Sequence, residues 1–280
     1  RLAIMELSTS GAQPMQSHSK RYHLVFNGEI YNHLDLRREL RLHRPEPYFR
    51  GNSDTETILA CFDQWGLEDT VRRAIGMFAF ALWDRQERVL HLGRDRFGEK
   101  PLYYGWQRRE GRSVLLFGSE LKALHAHPAF EKRINSQSAA HFFERHCVPG
   151  TASIFCGIHK VSPGTFLTFD AFHQEPKETV FWSLEQAISN GAKNRFQGTT
   201  YELVTKADEL LSRAVKRQMQ SDVPLGAFLS GGIDSTAIVS LMRRETSARL
   251  KTFTIGFTDE KFDESPHAED IAEYFGLDHT

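Results

Sequence analysis

Phe228-Leu229-Ser230-Gly231-Gly232-Ile233-Asp234-Ser235-Thr236 decides how the second half of this 280-residue chain folds. The apolar run from Leu225 to Leu229, just before the glycines, suits a buried parallel strand. From Thr236 to Arg244 the spacing puts Ala237, Ile238, Leu241 and Met242 on one helical face. A small-residue turn between strand and helix leaves backbone N–H groups pointing outward, and the helix N-terminus adds partial positive charge. Such a turn is an anion site. The Ser230 and Ser235 hydroxyls can donate to phosphate oxygens, and Asp234 can hold a Mg²⁺ ion that bridges them. No lysine follows the glycines, so this is not a Walker A loop. The plain alternative is a tight turn whose glycines serve conformation alone. The flanking strand and helix favour the anion site.

Working outward, Lys251 to Phe257 reads as a second strand. Ser265-Pro266 fits an N-cap and N1 pair, and Ala268, Ile271, Ala272 and Phe275 share one face before Gly276. This β-α-β-α alternation predicts a parallel, doubly wound sheet with its ligand site at the carboxyl ends of the strands. Upstream, Thr199 and Glu202 have capping-box spacing. The helix they open is expected to reach about Gln220, with Leu203, Ala207, Leu210, Leu211, Ala214 and Val215 inward. Residues 171–198 lose apolar density and read as a linker. It would separate a domain over 1–170 from one over 199–280.

The first half is richer in strands. Tyr22 to Phe26 reads as a short strand ending at the turn signal Asn27-Gly28. Asp35 to Leu42 and Asp54 to Gln64 have helical periodicity, the second with Ile58, Leu59, Phe62 and Trp65 as its stripe. Met77 to Asp84, Val89 to Gly93, Leu102 to Trp106 and Val114 to Ser119 read as strands, followed by a helix around Glu120 to His125. A net charge of −1 argues against general nucleic-acid or membrane-surface binding. No apolar run reaches the ~18 residues that span a bilayer, and no signal peptide opens the chain, which points to the cytoplasm. Cys61, Cys147 and Cys156 are odd in number and far apart, which suggests neither a disulfide framework nor a zinc site. His125, His127, His141 and His146 lack a third ligand at useful spacing and read as solvated side chains. The start at Arg1 and the stop at Thr280, where the next strand is due, read as cut ends of a fragment.

Ser230-Gly231-Gly232-Ile233-Asp234-Ser235 resembles the PP-loop of ATP pyrophosphatases, and the preceding Asp222-Val223-Pro224-Leu225-Gly226 resembles the asparagine synthetase branch. In the first half, Val25-Phe26-Asn27-Gly28-Glu29-Ile30-Tyr31-Asn32 is similar to the Asn-Gly-Glu-Ile-Tyr-Asn motif of class II glutamine amidotransferases. Arg1-Leu2-Ala3-Ile4, Gly11-Ala12-Gln13-Pro14-Met15, Ser53-Asp54-Thr55-Glu56, Gly76 to Asp84, Arg94 to Tyr104 and Gly118 to Leu124 resemble their counterparts in the right order. The resemblance covers nearly the whole chain. It implies an α+β N-terminal-nucleophile-type sandwich (αββα), followed by the start of an α/β parallel-sheet PP-loop domain of the adenine nucleotide α-hydrolase-like kind. It also implies glutamine-dependent asparagine synthesis. Ammonia released from glutamine in the first domain would amidate an aspartyl-adenylate formed from aspartate and ATP in the second.

The residue roles follow from the same resemblance. Hydrolysis of an amide passes through an oxyanion, and the Asn27 side chain with the Gly28 backbone N–H would form its hole, worth roughly 3 kcal/mol per donor. Taken alone, Asn27-Gly28 reads better as a hairpin turn. Arg1 would pair with the glutamine α-carboxylate, and Glu29 and Asp54 would hold the α-ammonium end, with helix N-capping the alternative for Asp54. Arg94, Asp95, Arg96 and Lys100 read as a structural salt-bridge network. Leu229 and Ile255 would offer backbone contacts to adenine. Ser230, Gly231, Gly232, Asp234 and Ser235 would hold the pyrophosphate and Mg²⁺. The family's nucleophile is an N-terminal cysteine with its own α-amine as base; this chain starts with arginine, and Cys156-Gly157-Ile158 is internal. The 280 residues as written are therefore not expected to hydrolyse glutamine. Small-molecule substrates are the expected partners, with no nucleic acid and no membrane; a homodimer stays open. The alternatives are amidation of another carboxylate such as a sugar acid, a β-lactam-synthetase-like relative, and a non-catalytic scaffold.

Overall fold

The computed structural model describes residues 4–43, 49–173, 175–246, 248–259, 261 and 263–280, and the chain divides into two units, Arg1–Lys193 and Asn194–Thr280. In the first unit, strands β1 (Met15–Gln16) and β2 (Tyr22–Ile30) lead into helices α1 (His33–His43) and α2 (Asp54–Arg73). Strands β3 (Gly76–Asp84), β4 (Val89–Arg94), β5 (Tyr103–Arg109) and β6 (Arg112–Gly118) follow. Helices α3 (Leu121–His125) and α4 (Ser136–Arg145) precede β7 (His159–Lys160), β8 (Thr165–Phe169), β9 (Lys177–Val180) and α5 (Leu184–Lys193). One antiparallel sheet has the order β1-β2-β3-β4-β8-β9, and the other has β6-β5-β7.

The alternation along β3 explains the layering. Phe78, Phe80 and Leu82 join a core with Leu24, Phe26 and the α2 residues Ile58, Leu59 and Phe62. The intervening Ala79 and Ala81 pack with Leu92, Leu102, Val161 and Leu167, between the two sheets. Beyond the second sheet, Leu116 and Ile158 cluster with Leu124 of α3. The layers run helix, sheet, sheet, helix, as the αββα expectation has it.

Several local readings need correction. Asn27-Gly28 is not a turn: β2 continues to Ile30, paired with β3 throughout. A Cβ on Gly28 would stand 2.1 Å from the Met77 carbonyl oxygen, so this position demands glycine for close approach of two strands. Helix α2 extends past Gln64 to Arg73, through a break at Gly66 where φ is 77°. Helix α4 was not anticipated, because its apolar pattern is confined to Phe142 and Phe143. The span read as a linker contains β9, held on β8 from Thr165–Val180 to Thr168–Lys177, and α5. Main-chain pairing there needs little apolar pattern.

The second unit runs α6 (Thr200–Gln218), β10 (Gly226–Phe228), α7 (Ile233–Glu245), β11 (Lys251–Phe253), α8 (Ser265–Phe275) and β12 (Asp278–His279). The capping box of Thr199 and Glu202 opens α6, and Gly276, in the left-handed conformation, closes α8. The first residue of α8 is Ser265 itself, with Glu264 at the cap. The three strands are parallel and ordered β10-β11-β12, so right-handed crossovers put α7 and α8 on one face. Leu229, Val239, Leu241, Met242, Ala268 and Ala272 form the core on that face. Phe228 and Phe253 remain exposed on the other, so the described residues wind the sheet on one side only. The inward stripe expected of α6 reduces to Val215, and α7 buries Val239, Leu241 and Met242 rather than Ala237 and Ile238. Polar ties hold α6 to α7 instead, with Lys216 on Glu245 at 2.6 Å and Arg244 on Asp208 at 2.9 Å. Among the described residues no helix is long and apolar enough to cross a membrane.

Candidate active sites in the two units

Strand alternation places Asn27 and Glu29 on the face of β2 opposite Leu24 and Phe26. The Asn27 Nδ2 donates to Ser119 Oγ, just after β6, at 3.2 Å. The Gly28 backbone has a direction that follows from its partner. Phe78, opposite Gly28, turns both its N–H and its C=O toward Asp95, so the Gly28–Phe78 pair is a non-hydrogen-bonded one. The Gly28 N–H therefore points away from β3. It lies between the N–H groups of Phe26 and Ile30 on the same strand edge. The first donates to Gln13 Oε1 at 2.8 Å and the second to Asp54 Oδ2 at 2.9 Å.

Asp54 is the first residue of α2 and is 4% exposed. The N-cap is Ser53, whose hydroxyl accepts from Thr55 and Glu56 N–H, so the capping reading of Asp54 is corrected. Its carboxylate takes the N–H groups of Ile30 and Thr55 instead. Burial pushes the Asp54 carboxyl above the usual aspartate range, although those donors pull the other way. Burial also raises Glu29, helped by the nearby Asp54 charge and opposed by Lys100. Glu29, Asp54 and Lys100 thus lie within electrostatic reach of one another. Arg1 lies outside the described residues.

The loop before Asp54 is fixed by residues that the sequence reading missed. Buried Arg37 donates to Gly51 O and Ser53 O, each at 3.0 Å, and to Thr57 Oγ1 at 2.7 Å, with the Phe49 ring 4.1 Å from its guanidinium carbon. Its legible signal was a charged residue beside Leu36 and Leu40 on the apolar face of α1. The Arg94–Lys100 segment is a structural network, but of backbone contacts rather than of ion pairs. The Asp95 carboxylate accepts N–H groups from Phe78, Phe97, Glu99 and Lys100. Arg94 and Arg96 donate to main-chain carbonyls.

None of the cysteines has the placement of a terminal nucleophile. Cys61 is in the α2 core, where burial pushes its thiol up. The Cys156 thiol donates to Ile134 O at 3.5 Å, and Cys147 is exposed. Among the described residues no group of three His, Cys, Asp or Glu side chains could hold a metal ion.

In the second unit, the turn between β10 and α7 is bound to itself by hydroxyls. Ser230 and Ser235 Oγ atoms are 3.0 Å apart, Ser235 Oγ donates to the Gly232 carbonyl at 3.1 Å, and Ser230 N–H donates to Ser235 Oγ at 3.2 Å. Gly231 has φ 78°, and a Cβ there would approach His267 Cβ to 2.8 Å. Gly232 caps α7 and contributes no side-chain acceptor to the N–H groups of the first turn. Leu229, Ser230, Ser235 and Ile255 share a cavity of about 290 Å³ with Phe257 and Glu264. Gly231, Gly232 and Asp234 are not among its lining residues. Asp234 is exposed in the first turn of α7. An exposed carboxylate at this turn is of the kind that suits Mg²⁺, which takes one or two protein carboxylates and completes its shell with other oxygens.

Comparison with known proteins agrees with this division. Residues 1–182 match the family model described as glutamine amidotransferase domain, and residues 206–280 match that described as asparagine synthase. The chain is 34% identical to a putative asparagine synthetase (glutamine-hydrolyzing) 2 of Methanocaldococcus jannaschii, covering 100% of this chain and 54% of that protein. It is 36% identical to asparagine synthetase (glutamine-hydrolyzing) 3 of Bacillus subtilis, covering 100% and 45%. A putative asparagine synthetase (glutamine-hydrolyzing) of Mycobacterium bovis is 37% identical, with 100% and 42% covered. The chain spans about half the length of the curated relatives it matches. With well over half of its length in the first match, and its fold and motifs in the matching order, the chain belongs to the glutamine amidotransferase family, in the branch where that domain is followed by an asparagine synthase domain.

Proposed function

We propose that the chain carries the glutamine site and the ATP-binding turn of a glutamine-hydrolysing asparagine synthetase. The observation that carries this reading is the row of N–H groups on β2, in which Gly28 lies between donors taken by Gln13 and Asp54. An amide oxygen seated there meets the Gly28 N–H and the Asn27 carboxamide, whose second hydrogen remains after the bond to Ser119. As the amide carbon becomes tetrahedral, both donors stabilise the oxyanion at this half-buried strand edge. Asp54 and Glu29 hold the α-ammonium end, and Arg1 the α-carboxylate. The attacking thiol would be a terminal cysteine, which these 280 residues do not include. Collapse of that adduct expels the amide nitrogen as ammonia and leaves a thioester, which water then hydrolyses to glutamate and the free thiol.

In the second unit, Ser230, Gly231, Gly232 and Ser235 bind the pyrophosphate part of ATP at the head of α7, and the backbone at Leu229 and Ile255 meets adenine. Asp234 would hold Mg²⁺, whose charge would offset that of the pyrophosphate leaving group. Aspartate carboxylate oxygen attacks the α-phosphorus, pyrophosphate leaves, and ammonia displaces AMP to give asparagine. These are small-molecule partners in cytoplasmic biosynthesis. The test of this half is aspartate-dependent exchange of labelled pyrophosphate into ATP by the product of the full open reading frame. Exchange with aspartate supports the reading; exchange only with a different carboxylic acid moves the acceptor to that acid. Absence of exchange with any acid overturns the ATP assignment.

A further inference from the structure

A second cavity lies in the first unit, among α3, α4, β5 and β7, with a volume of about 350 Å³. That is the small end of the range for ligand pockets. None of Asn27, Gly28, Glu29 and Asp54 lines it. Tyr103, Leu121 and Phe142 give it an apolar wall, and Phe142 keeps 47% of its surface exposed there. Its polar side is unbalanced. The Lys160 Nζ donates to the Val148 carbonyl at 2.6 Å, and the other hydrogens of the ammonium remain. Among the described residues no carboxylate bears on that charge. Burial pulls the Lys160 pKa below the usual lysine value, the Arg94 guanidinium adds to this, and the Cys147 thiol opposes it. The Asp95 carboxylate, which bears on Arg94, is already taken by the N–H groups of Phe78, Phe97, Glu99 and Lys100. The Ser153 hydroxyl both donates to and accepts from the Phe155 backbone, each at 3.1 Å. The lining side chains left for a ligand are the Tyr103 hydroxyl, the Cys147 thiol and the Lys160 ammonium, and all three can donate.

We propose that this cavity binds a small organic monocarboxylate, its carboxylate on Lys160 and its apolar body against Leu121 and Phe142. A half-buried cation with no counter-charge is costly, and a bound carboxylate supplies that charge through short, charge-assisted hydrogen bonds. The apolar wall rewards a hydrocarbon body, which a bare inorganic anion lacks. A neutral ligand of the same shape gains the wall and forfeits the ion pair. The site stands on residues that the glutamine and ATP readings do not use.

The test titrates phenylacetate into the product of the full open reading frame by calorimetry. Saturable binding is expected at about 1 mM or below, with 2-phenylethanol and acetate each weaker by about tenfold or more. The first control lacks the charge and the second lacks the body. Lys160→Met removes the ammonium and keeps an apolar stem, and it is expected to bring phenylacetate down to the level of 2-phenylethanol. Because Lys160 also holds the Val148 carbonyl, a second variant guards against a folding defect. Cys147→Phe, at an exposed position, fills the cavity and is expected to abolish binding with the thermal midpoint unchanged. In the unsubstituted protein, saturating phenylacetate is expected to slow alkylation of Cys147 by iodoacetamide about tenfold while Cys156 reacts as before. Equal affinity for phenylacetate and 2-phenylethanol overturns the proposal, as does no saturable binding up to about 10 mM. Binding that survives Cys147→Phe, or that leaves Cys147 alkylation unchanged, places the ligand elsewhere and overturns it too.

Discussion

The Asp54 carboxylate accepts the Ile30 backbone N–H at 2.9 Å, joining the head of α2 to the end of β2 beside Asn27 and Gly28. Because burial raises its pKa, the folded chain binds this proton more tightly than the unfolded one. Its favourable contribution is therefore full below the ordinary aspartate range and is lost as pH rises through the folded pKa. At neutral pH the ionised carboxylate is a burden on the fold, and on the proposed reading it serves to bind glutamine. Asp54→Asn keeps an acceptor for Ile30 without the charge. It should leave the thermal midpoint equal or higher at pH 7 while raising KM for glutamine at least tenfold, as melting curves and initial rates will show.

Ser119 supports Asn27 from the turn just after β6 of the other sheet. Ser119→Ala removes the only partner found for the Asn27 Nδ2 among the described residues and frees the carboxamide to rotate. A loss of about tenfold in kcat, with KM for glutamine unchanged, corresponds to about 1.4 kcal/mol of transition-state stabilisation. Asn27→Ala should cost about 10²–10³-fold. Equal effects on binding and turnover would place Ser119 in substrate binding instead.

His91 gives the first unit a pH-dependent stability. Its Nδ1 meets Thr168 Oγ1 at 2.9 Å, and burial lowers its pKa to about 4. The folded chain therefore resists protonating a histidine that the unfolded chain protonates near pH 6.5. Stability is full above that pH and falls as pH drops from 6.5 toward about 4, by an amount on the order of 3 kcal/mol. Denaturant titrations between pH 7 and pH 4.5 should show this slope, and His91→Gln should flatten it.

At Gly231 the backbone sits at φ 78° with His267 close above it. Gly231→Ala should destabilise the second unit by about 1–2 kcal/mol through the left-handed backbone and the His267 contact. It should also weaken Mg–ATP binding at least tenfold by calorimetry. Asp234→Ala, at an exposed position, should weaken Mg–ATP without moving the thermal midpoint.

Strong local signals in the sequence were enough for much of this structure. The alternation Phe78-Ala79-Phe80-Ala81-Leu82 marked β3, the Thr199–Glu202 spacing marked the start of α6, and the two serines around Gly231-Gly232 marked the β10–α7 turn. What escaped depends on partners far apart in the chain. Asn27-Gly28 has the composition of a turn, and only the pairing of Gly28 with Phe78 makes it strand. The grip of Arg37 on Gly51 and Ser53 spans fourteen and sixteen residues, beyond any helical or strand period. Strand β9 carries almost no apolar pattern, because β8 supplies its hydrogen bonds. The stripe on α6 was read correctly as apolar and wrongly as buried: Leu203, Leu210 and Leu211 stay exposed, and periodicity cannot say what lies beneath a face.

The most direct test of the whole account is transfer of nitrogen from glutamine to aspartate. The product of the full open reading frame should be incubated with amide-¹⁵N glutamine, aspartate, ATP and Mg²⁺, and the products resolved by NMR and mass spectrometry. The account predicts ¹⁵N in the asparagine amide, with glutamate, AMP and pyrophosphate formed in equal amounts. Glutamate and ATP turnover without labelled asparagine, or ADP and phosphate in place of AMP and pyrophosphate, would contradict it.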